Sequence, residues 1–304
     1  MTDAKNVHLS ENTVSDNRHF QVTADHEASA LELLAQACPF SKAKLKDFAQ
    51  KGAIWLSHGG KKAEAIRRLK RTLKLGQQLD LYYNPKLLQQ PLLGEEFQAT
   101  LIKDFGAYSV WFKPRGMLSQ GSKYGDFQSL PRWIELRSEL LFGQIRQCWQ
   151  IHRLDRATEG LMLIAHNKKT AAALTRLFEE KQIHKTYLAN VWGAPEQSEW
   201  SCLEPIDGKK AISHFKLISR SQIDGQAVSR IEIAIETGRK HQIRKHLASA
   251  NLPIIGDRLY GNAQLNKQYD FDLQLSAYKL RWICPINHDE QTIQLSDELL
   301  TLID

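Results

Sequence analysis

Beyond residue 100 the apolar residues follow two different periods, and the two alternate in no regular order. "YSVWFKPRGM" reads as a strand that runs into a turn at Pro114 and Gly116. "SHFKLISR" and "RIEIAIE" read as further strands; in the second, Ile231, Ile233 and Ile235 share a face while Glu232 and Ala234 point away. "TAAALTRLFEEKQI" places Ala171, Leu174, Leu177 and Phe178 on one helical stripe, and "HQIRKHLASAN" turns Ile243 and Leu247 toward a core. Strands and helices without steady strand–helix–strand alternation do not build a doubly wound parallel sheet. They predict an α+β fold, a mixed and mainly antiparallel sheet with flanking helices. No internal repeat is evident.

The 304 residues allow one large domain, or a domain plus a small module. Lys and Arg number 41 against 34 Asp and Glu, a net charge of +7, which favours a polyanionic partner without requiring one. Cys38, Cys148, Cys202 and Cys284 are far apart and form no CxxC pair. That argues against a zinc cage and a disulfide framework, and for reduced thiols in a cytoplasmic protein. The first twenty residues lack the apolar core of a signal peptide, and no run is long enough to span a membrane.

Residues 1–27 have no hydrophobic period and are expected to be a mobile tail with a short strand at "HFQVT". Residues 28–84 read as a small unit of their own. Leu31, Leu34, Ala37 and Cys38 mark one helical face, ended by Pro39. Ser41 is the expected N-cap of a second helix, with Leu45, Phe48 and Ala49 apolar and Gly52 at its end. "AIWLSHGGKK" reads as a strand into a Gly-Gly turn and "LDLYY" as a closing strand. Lys42, Lys44, Lys46, Lys51, Lys61, Lys62, Arg67, Arg68, Lys70, Arg71 and Lys74 crowd this unit. Two helices with a basic face and a hairpin resemble a ribosomal-protein-S-four-like RNA-binding module; a basic hairpin used only for packing is the plainer alternative. Residues 85–96, punctuated by Pro, are expected to be a linker, and 97–304 the main domain.

Three stretches carry chemical interest. "HRLDRATEG" sets Asp155 between Arg153 and Arg156 and runs straight into the apolar "LMLIAH". A carboxylate that acts as nucleophile or base must be ionised, and a guanidinium nearby keeps it so. Taken alone, "RLDR" is more often a structural ion pair. "ETGRKHQIRKH" reads as a strand end followed by a basic helix, with His241 and Arg244 three apart on one face. Taken alone it is a solvated basic face, and His241 and His246 are poorly spaced for metal binding. In "HKTYLANVWG", Tyr187 follows a basic pair; it is either a core ring or a platform for a nucleobase.

Together, and in this order, "KPRGM", "HRLDRATEGLML", "KTYLA", "ETGRKHQIRKHL" and "IIGDRLYG" resemble the RluA-type family of pseudouridine synthases. The likeness covers roughly residues 100–261. It implies a catalytic cleft in the sheet domain, with Asp155 as the essential aspartate. Tyr187 then contacts the uracil ring and helps with the proton on carbon five, and Arg244 pairs with the aspartate. Arg153 assists base extrusion, and His152, Arg156, Arg239, His241 and Lys113 join it around the substrate. Gly238 and Gly256 match backbone turns. Glu159 and Lys240 depart from the family pattern, where a small residue and threonine are usual, and could alter which RNA is accepted.

The implied reaction detaches uracil from ribose, turns it and rejoins it through carbon. It spends no redox equivalent and no phosphate, so no cofactor and no metal are expected, which fits a chain without a phosphate loop or ligand cluster. The expected partner is RNA, ribosomal RNA ahead of tRNA, and the expected state is a monomer with no membrane contact. Two other readings stand beside it: a non-catalytic RNA-binding protein that keeps the fold, and a hydrolase that uses Asp155 with water.

Overall fold

The computed structural model describes residues 17–59, 62–90 and 97–303, and the chain divides into two compact units. The first comprises the residues up to 97 together with Gln120–Leu136. The second comprises Gln98–Ser119 and everything from Arg137 onward.

In the first unit, helices Ala30–Ala37 and Lys42–Gln50 accompany a four-stranded antiparallel sheet. Its order is Arg18–Thr23, Gln78–Tyr83, Ile54–Ser57, Glu64–Ala65. A capping box starts the first helix: Ser29 Oγ accepts from Glu32 N–H, and the Glu32 carboxylate accepts from Ser29 N–H. Starting there turns Ala30, Leu33 and Leu34 inward and leaves Leu31 only partly covered, so the buried face is centred on Leu33. Ser41 caps the second helix as expected, and Leu45, Phe48 and Ala49 are buried.

The strand expected at "HFQVT" is present: Arg18–Thr23 is an edge strand paired along its whole length with Gln78–Tyr83, and Phe20 lies in the core. Two sequence expectations change here. Pro85–Leu88, within the expected linker, is a turn of helix capped by Asn84; residues 91–96 lie outside the described residues, as do residues 1–16, Gly60 and Lys61. Gln120–Leu136, expected in the main domain, packs with the first unit. Arg67 pairs with Asp126, and Trp55 Nε1 donates to the Lys123 carbonyl at 3.0 Å.

The second unit is built on a ten-stranded sheet. Along its main path run Glu199–Cys202, Ser213–Ile223, Gln226–Ile235, His184–Trp192, Leu275–Ile283, Glu159–Ala165, Tyr108–Lys113 and Thr100–Asp104. Every pairing is antiparallel except that of Glu159–Gly160 with Ser276–Ala277. At this parallel contact a Cβ on Gly160 would meet the Ala277 backbone at 2.4 Å, so only glycine fits. The apolar run after "HRLDRATEG" is the strand Glu159–Ala165, buried at all seven positions, which is why it lacks an alternating face. Helix Lys168–Glu179 lays Leu174, Ala171, Leu177 and Phe178 over the core formed by Tyr108, Leu161, Leu163 and Trp282. Leu174, fully buried, contributes about 1.5–3 kcal/mol. The α+β class with a mainly antiparallel sheet is as the sequence predicts.

Candidate active site

Asp155 sits in the loop that precedes the buried strand Glu159–Ala165, and a second loop holds this one in place. Ser119 Oγ donates to the Leu154 carbonyl at 2.7 Å and accepts from Leu154 N–H at 2.9 Å. Gly116 N–H donates to the Arg156 carbonyl at 2.8 Å, and Arg156 Nε donates back to the Gly116 carbonyl at 2.9 Å. Beneath both loops lies Lys113, fully buried, its ammonium donating to the carbonyls of Pro114 and Met117 at 3.0 Å. Burial pulls its pKa down to about 7, against the opposing pull of Glu159 and Asp155. Lys113, expected at the substrate, is therefore a pin under the loops; the turn "KPRGM" buries the residue that a basic motif suggests is exposed.

His152, also expected at the substrate, is placed in the cavity wall. Its Nε2 accepts from Leu163 N–H at 2.9 Å, and its ring stacks on Phe178 at 4.5 Å. Although it lines the cavity, the imidazole is committed to the backbone of the neighbouring strand. Burial, with the Lys185 charge nearby, lowers its pKa to about 3. A depressed folded-state value means stability that is present above the usual histidine pKa near 6.5 and is lost as pH falls from there toward 3. The wild type is expected to lose up to about 1.4 kcal/mol more per pH unit across that window than His152→Asn. Urea midpoints at pH 7, 6, 5 and 4 measure this, and parallel curves for the two proteins would contradict it.

The stretch "ETGRKHQIRKH" is held by Gln242. Its amide donates to the Ile212 carbonyl and Ser213 Oγ, and its Oε1 accepts from Thr237 Oγ1 at 2.7 Å and Arg239 N–H at 3.1 Å. The helix begins at Gln242, so His241 is not on its face but at the entry, with left-handed φ of 57°. From there His241 Nε2 lies 3.8 Å from Asp155 Oδ2, and Nδ1 is 3.0 Å from the Tyr260 hydroxyl. Ile243 and Leu247 are core residues, as expected.

Arg244 is buried, and its strong partner is Asp257, not Asp155. Nε and Nη2 make a bidentate pair with the Asp257 carboxylate at 2.7 and 2.6 Å. The remaining nitrogen, Nη1, lies 3.8 Å from Asp155 Oδ2. Asp257 accepts in addition from Leu259 and Tyr260 N–H. Burial acts to raise its pKa, yet Arg244 and these backbone donors hold it below the ordinary carboxylate range. The preceding Gly256 has φ of 74°, and a Cβ there would meet the Asp272 carbonyl at 2.2 Å, so this glycine is a required turn. Gly238 has no such positive φ. The sequence reading takes in "IIGDRLYG" but misses the role of Asp257; an acidic residue after a turn glycine, with a buried arginine to satisfy, is the signal that could have found it.

Tyr187 lies in the strand His184–Trp192, where the pairing with Leu275–Ile283 shifts register between Thr186 and Tyr187. Burial, with the Asp155 charge beside it, pushes the phenol well above the ordinary tyrosine value, so it stays protonated. Asp155, Tyr187, Arg244, His241, Arg153 and Arg239 line one cavity of about 540 Å³. Arg153, Arg239 and Lys240 are exposed at it. Arg156 is exposed but turned to Gly116, and it is absent from the lining. Glu159 is buried away from the cavity, with its carboxylate on Thr301 Oγ1 at 2.6 Å and Arg115 at 3.3 Å. Among the described residues no three His, Cys, Asp or Glu side chains converge as metal ligands, and no helix is long and apolar enough to cross a membrane.

The RNA pseudouridylate synthase family matches residues 107–249, which contain most of this cavity. The dual-specificity RNA pseudouridine synthase RluA of Vibrio parahaemolyticus is 32% identical over 192 residues, 58% of this chain and 74% of that one. The chain belongs to the RluA-type family of RNA pseudouridine synthases. The ribosomal large subunit pseudouridine synthase D of Xanthomonas campestris is 36% identical over 127 residues, 37% of each chain. The solved human RNA pseudouridylate synthase domain containing 1 superposes with a TM-score of 0.55 at 22% identity, over 69% of this chain and 86% of that chain, a likeness of fold. As an RNA pseudouridine synthase, the chain is an isomerase that binds and modifies RNA.

Proposed function

We propose that this synthase converts specific uridines in structured RNA, ribosomal RNA ahead of tRNA, and that Asp155 is the catalytic carboxylate. The observation that carries this reading is the cavity. It brings the Asp155 carboxylate beside two basic side chains, each 3.8 Å from Oδ2, with a protonated tyrosine in the same wall. Breaking the bond from ribose to uracil builds positive character on the sugar, and an ionised carboxylate at that face stabilises it or bonds to it. Arg244, itself locked by Asp257, stands with Nη1 3.8 Å from Asp155 Oδ2 without being free to swing onto it. Tyr187 offers the detached ring a stacking face, and its phenol oxygen takes the proton from carbon five as its own proton passes to the Asp155 carboxylate. Arg153 and Arg239, exposed at the cavity, hold RNA while the target base leaves its stack.

Tyr187→Phe tests the division of labour at that ring. It keeps the aromatic face, so RNA affinity is expected within about twofold of wild type, while the turnover rate falls by about 10²–10⁴. Affinity and multiple-turnover rate measured on one RNA check this; equal rates for the two proteins would remove the hydroxyl from the reaction.

The lean toward ribosomal RNA rests on the first unit and on the name of the Xanthomonas relative. We read the first unit as the S-four-like RNA-binding module that its sequence resembles, working in a cytoplasmic monomer. Lys42, Lys44, Lys46, Lys70 and Lys74 are exposed there, whereas Lys51 is buried on Asp47 and the Leu88 carbonyl, and Arg67 is paired with Asp126. Because Gln120–Leu136 belongs to this unit, neutralising its surface is a cleaner test than deleting it. Changing Lys42, Lys44 and Lys46 together to Gln should lower the salt slope of RNA binding by about one for each phosphate that the helix no longer neutralises. An unchanged slope would leave this helix no part in RNA binding.

A further inference from the structure

A second depression, of about 610 Å³, adjoins the cavity that holds Asp155. Phe178, Glu179, Lys185, Ile235, Gly238 and Arg239 line both, so the two share a wall. Lys185 stands in that wall. The fully buried lysines of this chain find acceptors: Lys51 on Asp47 and the Leu88 carbonyl, Lys113 on loop carbonyls. Lys185 is half-buried, yet among the described residues its ammonium has no hydrogen-bond or ion-pair partner, only the Phe178 ring at 5.7 Å. Desolvation alone lowers its pKa, with no carboxylate opposing it. Of the acidic residues in the depression, Glu236 is paired with His214 at 3.0 Å and Glu179 is exposed. Gly238 faces this ammonium: a Cβ there would lie 4.0 Å from Lys185 Nζ with nothing nearer. The approach to the ammonium is therefore open from the side of the "TGR" turn.

Resting on the assignment of Asp155 and its cavity, we propose that the second depression is a subsite for the nucleotide next to the target uridine, and that Lys185 binds the phosphate joining the two. A uridine whose base lies at Asp155 carries its phosphates on the same ribose, so at least one must pass the cavity rim. Lys185 lines both depressions and is where that phosphate can cross. A partly desolvated ammonium without a protein acceptor attracts a phosphate more strongly than a surface lysine does, because the effective dielectric is lower. Arg239, whose Nε is fixed on the Lys210 carbonyl at 2.9 Å, adds a second cation along the same wall. The competing account makes Lys185 a packing piece on Phe178 with no contact to RNA.

The test uses single-turnover kinetics on one RNA, with each phosphate within two positions of the target uridine replaced singly by a neutral methylphosphonate. Lys185→Gln should raise the RNA concentration for half-maximal rate by about tenfold, with the maximal rate within about twofold of wild type, as expected for one hydrogen bond to a charged group. In the wild type, one methylphosphonate position should cost a similar factor. At that position the substitution should cost Lys185→Gln nothing further, and Lys185→Arg should restore part of the loss. Gly238→Leu, which leaves the lysine in place and covers it, should reproduce the loss, and thermal midpoints confirm that each variant is folded. Additive losses at every position would overturn the phosphate contact. A lowered maximal rate with unchanged half-saturation would instead make Lys185 a packing residue. If the wild type forms no pseudouridine on any RNA, the underlying assignment fails as well, a result separate from the other two.

Discussion

Asp155→Asn is expected to form pseudouridine at least about 10⁴-fold more slowly than wild type, the scale seen when a central catalytic group is removed. The substitution keeps the shape and removes the charge. Among the described residues the Asp155 side chain makes no close hydrogen bond; its neighbours are Arg244 Nη1 and His241 Nε2, both at 3.8 Å. Its loop is held by Ser119, by Gly116 and by Lys113, whose ammonium is 3.5 Å from the Arg156 carbonyl, all through backbone groups that asparagine leaves intact. Stability is therefore expected to change by less than about 1 kcal/mol, and RNA affinity to stay within about twofold. The variant thus separates chemistry from folding and from binding. A purified, folded Asn variant that isomerises uridine at a rate near wild type would remove Asp155 from the reaction.

Asp257→Ala is expected to be the most damaging single change away from the reacting atoms. It strips Arg244, 5% exposed, of both its short hydrogen bonds and leaves a buried guanidinium with no strong acceptor. Breaking a buried pair on one side costs about 3–5 kcal/mol. The freed guanidinium then has a new option, to swing onto Asp155, and displacement at the reacting centre on the scale of an ångström costs about 10²-fold in rate. Both a lowered melting temperature and a lowered maximal rate are expected. Asp257→Asn keeps the shape and one acceptor oxygen, and should lie between Ala and wild type on both measures. An Ala variant as stable and as active as wild type would show that Arg244 does not depend on this pair.

Much of the scaffold was legible because its signals are local. Ser41 caps a helix by its own hydroxyl, and Ile243 and Leu247 lie one turn apart on a face that must be buried. The alternation in "RIEIAIE" needs only the two-residue period of a strand. What was not legible depends on partners far away in sequence. Lys113 resembles a substrate contact until the turn it begins folds back over it, and the bond from Leu163 N–H to the His152 ring nitrogen, eleven residues apart, has no local sign either. Arg244 points toward Asp155 as the motif suggests, but the acceptor that fixes it is thirteen residues downstream. The placement of Gln120–Leu136 in the first unit rests on contacts such as that of Arg67 with Asp126, 59 residues apart, to which no local period points. Lys185 stood in plain view as half of a basic pair; only burial without an acceptor distinguishes it.

The central claim is that the cavity at Asp155 detaches a uracil from RNA and returns it through carbon. The most direct measurement incubates purified wild type with ribosomal RNA that lacks pseudouridine, maps pseudouridine at single-nucleotide resolution, and assays free uracil in the same tube. The account predicts pseudouridine at discrete uridines, no free uracil, and neither product from Asp155→Asn. Free uracil released in step with enzyme turnover, or modified RNA from the Asn variant at the wild-type rate, would contradict it.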